Sequence, residues 1–288
     1  MQYINPFALF GLETNTNESK IAAVKADIMT RLVQADVDTD MVSIRGQRFT
    51  KGEWQYWLDQ LCTTEQRQIH IAIVENHALR NFLEFTHLGF FAAAPAPDFW
   101  QNAEFVAYIR PFFVFQYAEA LLQALKTQNE ADMQALQNSP FEISQAEYDT
   151  YFVEISDYLS LTAQDLKNLS ENNSLTYLSE RELVSHLPDT TINIYNYLPN
   201  SLSGVRNWIG DSVGRIAMYM SVQLGRPDGA IALVRQALKL KLDEALRLEL
   251  EQLLQAHKSR SRTPLWILIG VGAMLLLFAL KYVENRYF

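Results

Sequence analysis

Cysteine is close to absent from this chain. Cys62 is the one thiol in 288 residues, so no internal disulfide can form and the fold has to be held by burial. Glycine and proline are also scarce, at 11 and 9 residues, which excludes collagen-like and low-complexity architectures. No Gly-rich phosphate loop and no Gly-x-Ser-x-Gly elbow occurs, so neither a nucleotide cradle nor a hydrolase nucleophile is written in the sequence. Basic residues are short over the first 200 positions, 12 Lys and Arg against 26 Asp and Glu. Phosphate contacts supply most nucleic-acid affinity, and an acidic head supplies few, so no nucleic-acid partner is expected.

What the chain has in quantity is apolar residues, 49% of the total against 20% charged, the balance of folded protein rather than disorder. Residues 201–288 reverse the charge, with 12 basic against 7 acidic side chains. Their end carries the clearest single feature. Thr263 to Leu280 is uncharged and dominated by Leu, Ile, Val, Ala, Met and Phe. At ~1.5 Å per residue the run covers roughly 27 Å, the length of a bilayer-spanning helix.

We therefore expect a single transmembrane helix over 263–283. Trp266, Gly270, Leu276 and Phe278 fall within it, Lys281 snorkels and Tyr282 extends it. A buried core helix is the alternative, but a run without a polar face has no amphipathic stripe to dock. His257, Lys258, Arg260 and Arg262 precede the run, and Lys281, Glu284 and Arg286 follow it. That bias, with a start at Met1-Gln-Tyr-Ile-Asn-Pro that lacks a secretory signal, places the head on the cytoplasmic side.

The remainder reads as all-α, with a small hairpin expected near residues 41–50. Asn5 caps a short helix that opens with Pro6 and closes at Gly11, and Asn17 caps a second, with Ile21, Val24, Ile28, Leu32 and Val33 on one face up to about Ala35. Thr50 and Glu53 make a capping box before Trp54, Trp57, Leu58 and Leu61; Thr63 and Gln66 repeat it before Ile69, Ala72 and Ile73; a short helix follows around Leu79, Phe82 and Leu83. Ala92 to Asp98 is the expected linker. Pro111 is expected to start a long helix through Leu125, and a short helix follows the turn at Thr127–Asn129. Ser144 and Glu147 open another, running through Phe152 to about Leu169. Glu171 to Pro199 reads as loop-rich, with one helical run at Glu180–His186. Three antiparallel helices then occupy Ser201–Leu224, Ala230–Leu240 and Leu242–Ala256. The expected division is a helical domain at 1–91, a linker at 92–98, a second helical domain at 99–258 and the membrane helix.

Asn5-Pro6-Phe7-Ala8-Leu9-Phe10-Gly11-Leu12 resembles the opening of J domains, a short first helix before a longer second one, over about 30 residues. J domains stimulate a chaperone ATPase through a His-Pro-Asp tripeptide after that second helix. Here the loop is Gln34 to Asp40, the tripeptide occurs nowhere, and His186-Leu187-Pro188-Asp189 is interrupted. The resemblance implies a degenerate J-like fold without the cochaperone activity. Gly225-Arg226-Pro227-Asp228, with Ala230 and Ala237 after it, resembles a tetratricopeptide-type helix pair within 201–256, present as one unit rather than an array. Together the two ends resemble a group of bacterial proteins with no assigned activity, which implies a bacterial inner-membrane location.

Chemistry is thinly marked. His70 and His77 lie seven apart with no Cys, Asp or Glu completing a ligand set, and Cys62 reads as a small buried hydrophobe. No catalytic, cofactor-binding or metal-binding residue is assigned, and no cofactor is expected. The aromatic set Phe112, Phe113, Phe115 and Tyr117 reads as core. Gly210 and Gly214, one helical turn apart beside Asp211 and Arg215, mark a groove for close helix approach, by intramolecular packing or by a protein partner. The expected function is a membrane-anchored, non-catalytic protein–protein interaction or scaffold module. Its rivals are a membrane-surface enzyme whose site assembles only in three dimensions and a J-type cochaperone.

Overall fold

Side-chain caps set most of the helix starts. The structure, a computed structural model, describes residues 2–35, 41–92, 99–171 and 179–261, which form two compact units: Met1–Gln123 with Asn138–Glu142, and Ala124–Gln137 with Ile143 onward. The described residues are mostly helical, with one two-stranded sheet. The expected linker at 93–98 and the loop at 36–40 lie outside the described residues, as does everything beyond Ser261.

In the first unit, α1 (Pro6–Phe10) begins where the Asn5 side chain accepts from the Phe7 and Ala8 N–H groups, and ends at Gly11, φ 62°. The Leu12 N–H returns to the Phe7 carbonyl at 2.8 Å, so a left-handed residue and a reversed hydrogen bond close the helix together. Helix α2 (Glu18–Gln34) starts at the Asn17 cap. Ile21, Ile28 and Leu32 are buried on it, but Val33, expected on the same face, is 80% exposed. One step past Leu32 turns it roughly 100° around the axis.

Strands β1 (Met41–Ile44) and β2 (Gln47–Thr50) pair antiparallel with Ile44 opposite Gln47. Arg45 and Gly46 both take positive φ, the primed two-residue turn whose twist suits a hairpin. Thr50 ends β2 and caps α3 (Lys51–Asp59) through the expected box with Glu53. Helices α4 (Thr64–Glu75), α5 (His77–Phe85) and α6 (Gly89–Ala92) follow, then a 3-10 turn at Phe99–Gln101 and α7 (Ala103–Thr127). On α4 the buried pair is His70 and Ile73, while Ile69 and Ala72 are half-buried.

Pro111 lies inside α7 rather than at its start. The helix begins eight residues earlier, where the Asn102 side chain accepts from the Glu104 and Phe105 N–H groups. Proline forfeits the bond to Ala107, at a cost of about 3 kcal/mol. Pro111 and Ala107 are both exposed, so water reaches that carbonyl, while the neighbouring Phe112, Phe113 and Val114 are buried. The core they join is aromatic: Phe113 packs edge-on to Phe141 at 4.7 Å between centroids and against Phe82 at 4.9 Å.

The second unit contains the end of α7, α8 (Glu130–Leu136), α9 (Gln145–Tyr151), α10 (Val153–Glu171), α11 (Glu180–Ser185), α12 (Asp189–Asn196), α13 (Ser203–Val222), α14 (Pro227–Ala237) and α15 (Glu244–Ser261). The single helix expected from Ser144 is two, meeting at Phe152 with φ −106°, ψ 13°. The backbone bonds nonetheless continue across the bend, from Phe152 to Tyr148 and from Ser156 to Phe152. Helix α12 stands in the stretch read as loop. Its buried face is Ile192, Ile194 and Tyr195, and Asp189 at its first turn accepts from Gln236 at 2.7 Å and Lys239 at 2.6 Å. Long-range pins of that kind leave no local sequence signal.

Helices α13, α14 and α15 make the expected antiparallel hairpins. Beneath them Arg206 is buried, donating to the carbonyls of Lys241 (3.0 Å), Leu198 (3.0 Å) and Tyr195 (3.3 Å). A guanidinium suits this position, because its planar fork serves several acceptors at once and complements the carbonyl end of α12.

Candidate functional site

The site singled out from sequence lies where α15 crosses α13. A Cβ at position 210 would stand 2.9 Å from Leu242 Cδ2 and 3.2 Å from Leu246 Cδ2, and one at position 214 would stand 3.0 Å from Leu250 Cδ2. The two glycines are therefore seats for leucines of α15. The close helix approach expected at Gly210 and Gly214 is intramolecular. Asp211 and Arg215 sit on the outer side of the same contact, paired with each other by Arg215 Nε to Asp211 Oδ2 at 2.9 Å.

Beside this seam runs an open groove of about 440 Å³. Met218, Leu246 and Leu253 are among its apolar lining, and Asp211, Arg215 and Glu249 are its charged members. Leu250 is buried beneath it, and Met218 is 54% exposed. The sequence reading did not single out Leu246, Leu250 and Leu253 as part of a site. Their spacing of four and three residues along α15, matched to glycines four apart on α13, is the signal that marks them. The other residues named from sequence, Trp266, Gly270, Leu276, Phe278, Lys281 and Tyr282, lie outside the described residues. Among the described residues no helix is long and apolar enough to cross a membrane. Helix α15 continues unbroken through His257 and Lys258 to Ser261, so residues 256–261 are helix.

The first unit holds the polar cluster that sequence reasoning left open. His70 is buried between two phenols, Tyr3 Oη 3.0 Å from Nδ1 and Tyr108 Oη 3.1 Å from Nε2. A neutral imidazole donates from one nitrogen and accepts at the other, so one tyrosine accepts and its counterpart donates. Burial lowers the imidazole pKa to about 3 and raises both phenols well above their ordinary range, with Tyr56 adding to the shift on Tyr108. His70 is thereby fixed in its neutral form with both nitrogens occupied. It is a polar pin in an aromatic core, and His77, seven residues on, is exposed.

A second groove in this unit, of about 660 Å³, is lined by Gln2, Asn5, Arg45 and Glu84 among others. Arg45 is engaged there with the Phe10 carbonyl, and burial raises the Glu84 carboxyl pKa against the opposing effect of Arg80. Cys62 is exposed rather than buried, with its Sγ 3.2 Å from Lys25 Nζ. Among the described residues no group of three or more His, Cys, Asp or Glu side chains is placed to hold a metal ion. No protein-family model matches the chain, and neither the curated proteins nor the solved structures give a match.

Proposed function

We propose that this chain is a membrane-anchored, non-catalytic interaction module of the bacterial inner membrane, its head on the cytoplasmic side, and that the α13/α15 groove receives a helix from a protein partner. One observation carries the reading. Two long helices seated on each other through Gly210 and Gly214 leave an open trough with an apolar floor and the charges of Asp211, Arg215 and Glu249 along it. Amphipathic helices are recognised by troughs of this kind: apolar anchors at i, i+3 and i+4 enter the floor and the polar flanks meet the charged residues. Trp266 to Tyr282 supplies the anchor in this reading, and no cofactor is part of it. The J-like start and the tetratricopeptide-like turn serve as packing devices of the head.

The test is site-specific photo-cross-linking in the full-length chain in bacterial membranes, with the photoreactive residue at Leu253. We expect a discrete adduct that is lost when Asp211→Arg and Glu249→Arg reverse the charge along the groove, and that is not obtained from exposed Leu248. The same adducts from both positions, or an adduct indifferent to the charge reversal, would overturn the partner reading. Sedimentation with the membrane after alkaline washing, lost on deleting residues 263–288, tests the anchor separately.

A further inference from the structure

Helix α13 leaves more large apolar side chains in solvent than any other described helix. Trp208, Met218, Tyr219 and Val222 are between 37% and 54% exposed, whereas among the described residues no other helix exposes more than two such side chains. At ~100° per residue, these four share one arc of about 100° with Asp211 and Arg215. That arc is the α13 wall of the groove, where Asp211, Arg215 and Met218 are found. It runs roughly 21 Å from Trp208 to Val222. Contiguous exposed apolar side chains mark a contact face.

The order of residues along the arc names what covers it. Gly204, Trp208, Asp211, Arg215, Met218 and Val222 follow one another at spacings of four, three, four, three and four, the alternation of a seam between helices. This spacing reads the same from either end, with its centre at Val213. Laid against a second α13 running the opposite way about that centre, Asp211 faces Arg215 and Arg215 faces Asp211, Trp208 faces Met218, and Val222 faces Gly204. Opposite charges meet in the middle and a thioether meets an indole on either side. At each end a branched side chain meets a glycine beside which an added Cβ has nothing within 4 Å. In the parallel direction Asp211 faces Asp211 and Arg215 faces Arg215, so charge selects the antiparallel one. Arg215 Nε meets Asp211 Oδ2 within its own chain, and the remaining N–H groups of the guanidinium are donors for the facing carboxylate. Glu249 lines the same groove as a second acceptor.

We propose that the helix received by the α13/α15 groove is α13 of a second copy of this chain, packed antiparallel about a two-fold axis level with Val213. The proposal rests on the reading that this groove receives a helix, and it names the partner. An interface of this kind is isologous: one face serves both copies, and the assembly closes at two. Each copy then supplies both the wall and the occupant, and the apolar arc of α13 is covered without a second protein species. Two copies anchored in one bilayer share an axis along the membrane normal, so the seam lies along the membrane surface.

The test uses the full-length protein in density-matched detergent micelles, with sedimentation equilibrium to read mass and two affinity tags to read which chains combine. The parent is expected to pass from one chain to two as its concentration rises. Asp211→Arg and Arg215→Asp, each alone, bring like charges together at the centre and should weaken the dimer at least about tenfold. Mixed with each other, these two variants restore both opposite pairs, and a mixed dimer should copurify through either tag at parent strength. Leu248→Arg, at an exposed position of α15 outside the groove, should leave association unchanged. A parent that stays monomeric, single variants that associate like the parent, or two single variants that remain apart when mixed would overturn the proposal. Photo-cross-linking from Leu253 separates it from the reading on which it rests. An adduct of two chains supports both, an adduct with another protein beside a monomeric parent refutes this inference alone, and no adduct from Leu253 refutes both.

Discussion

The two units solve the same packing problem with different side chains. The first buries Tyr3, Phe7, Phe10, Trp54, Trp57, Phe82, Phe90, Phe112 and Phe113, whereas the aliphatic second relies on Ile209, Val213, Ile216, Ala217, Ile231, Leu233, Val234 and Leu250, with Phe152 and Tyr195 its only buried aromatics among the described residues. Large rings fill the space between the helices of the first unit, but tyrosine, tryptophan and histidine bring polar atoms that must be paired. Trp54 Nε1 donates to the Val42 carbonyl at 2.9 Å, and His70 is paired with Tyr3 and Tyr108. Small aliphatic residues and glycines let long helices lie close, and there the polar debt falls on helix ends, answered by Arg206. One unit is specified by hydrogen bonds inside its core, the other by backbone proximity.

The most severe way to break this contrast is to truncate one anchor in each unit. Trp54→Ala removes a fully buried ring and is expected to destabilise the first unit by about 3–5 kcal/mol; Ile209→Ala should cost the second about 2–5 kcal/mol. Hydrogen exchange of the full-length protein, read segment by segment, should show lost protection concentrated in the unit that carries the change. Equal loss in both units from either variant would mean that they unfold as one.

The two polar pins should respond differently. Arg206→Met keeps much of the stem but strands three carbonyls, and with charge-assisted hydrogen bonds worth about 1.5–3 kcal/mol each, a loss of at least about 3 kcal/mol is expected. His70→Gln leaves a phenol unpaired, for about 1–3 kcal/mol. It should also change the pH dependence. The folded imidazole pKa is lowered to about 3 from an ordinary 6.5. Above pH 6.5 both states are neutral and nothing is lost; between that value and about 3 the unfolded chain takes up a proton that the folded one refuses, so stability falls with falling pH, by about 1.4 kcal/mol per unit. Urea unfolding followed by tryptophan fluorescence at stepped pH should show this slope in the parent and a shallower one in His70→Gln. Arg206→Met should leave the slope unchanged.

Much of this fold is legible in the sequence because caps are local. Asn5, Asn17, Thr50, Ser144, and the Arg45-Gly46 turn all act within three or four residues, and each works as its spacing implies. What escaped depends on distant partners. Pro111 is tolerated inside α7 because buried aromatics on both of its flanks hold the helix, α12 is held by burial of Ile192, Ile194 and Tyr195, with Gln236 and Lys239 meeting Asp189 at its first turn, and His70 is a pin because Tyr3 and Tyr108 lie 67 and 38 residues away. The candidate site was half legible for the same reason: glycines four apart announce a close approach but not the leucines that fill it.

Gly210 sharpens the contrast by a smaller margin. An added methyl meets the mobile end of Leu242, and the gain in helix propensity, about 1 kcal/mol, offsets the crowding, so Gly210→Ala should be near neutral. Gly210→Val has no such room. It should cost about 1–3 kcal/mol by pushing α15 outward, and heat denaturation of the pair of variants measures the difference. Equal losses would mean that the seam tolerates no methyl at all.

The smallest effect expected is the most informative about function. Asp211–Arg215 in the second unit and Lys25–Asp59 in the first are ion pairs on largely exposed side chains, at 2.9 and 3.2 Å. Solvent screens both, and pairs of this kind contribute about 0.3–0.5 kcal/mol. Double-mutant cycles with alanine at each pair should therefore return nearly the same small coupling in both units. If they do, Asp211 and Arg215 have no structural reason to be beside the groove, and any loss of the Leu253 adduct on substituting them reports recognition. A coupling well above 1 kcal/mol at Asp211–Arg215 alone would show that the pair braces α13 against α15, and the charged residues beside the groove would then belong to packing rather than to a partner.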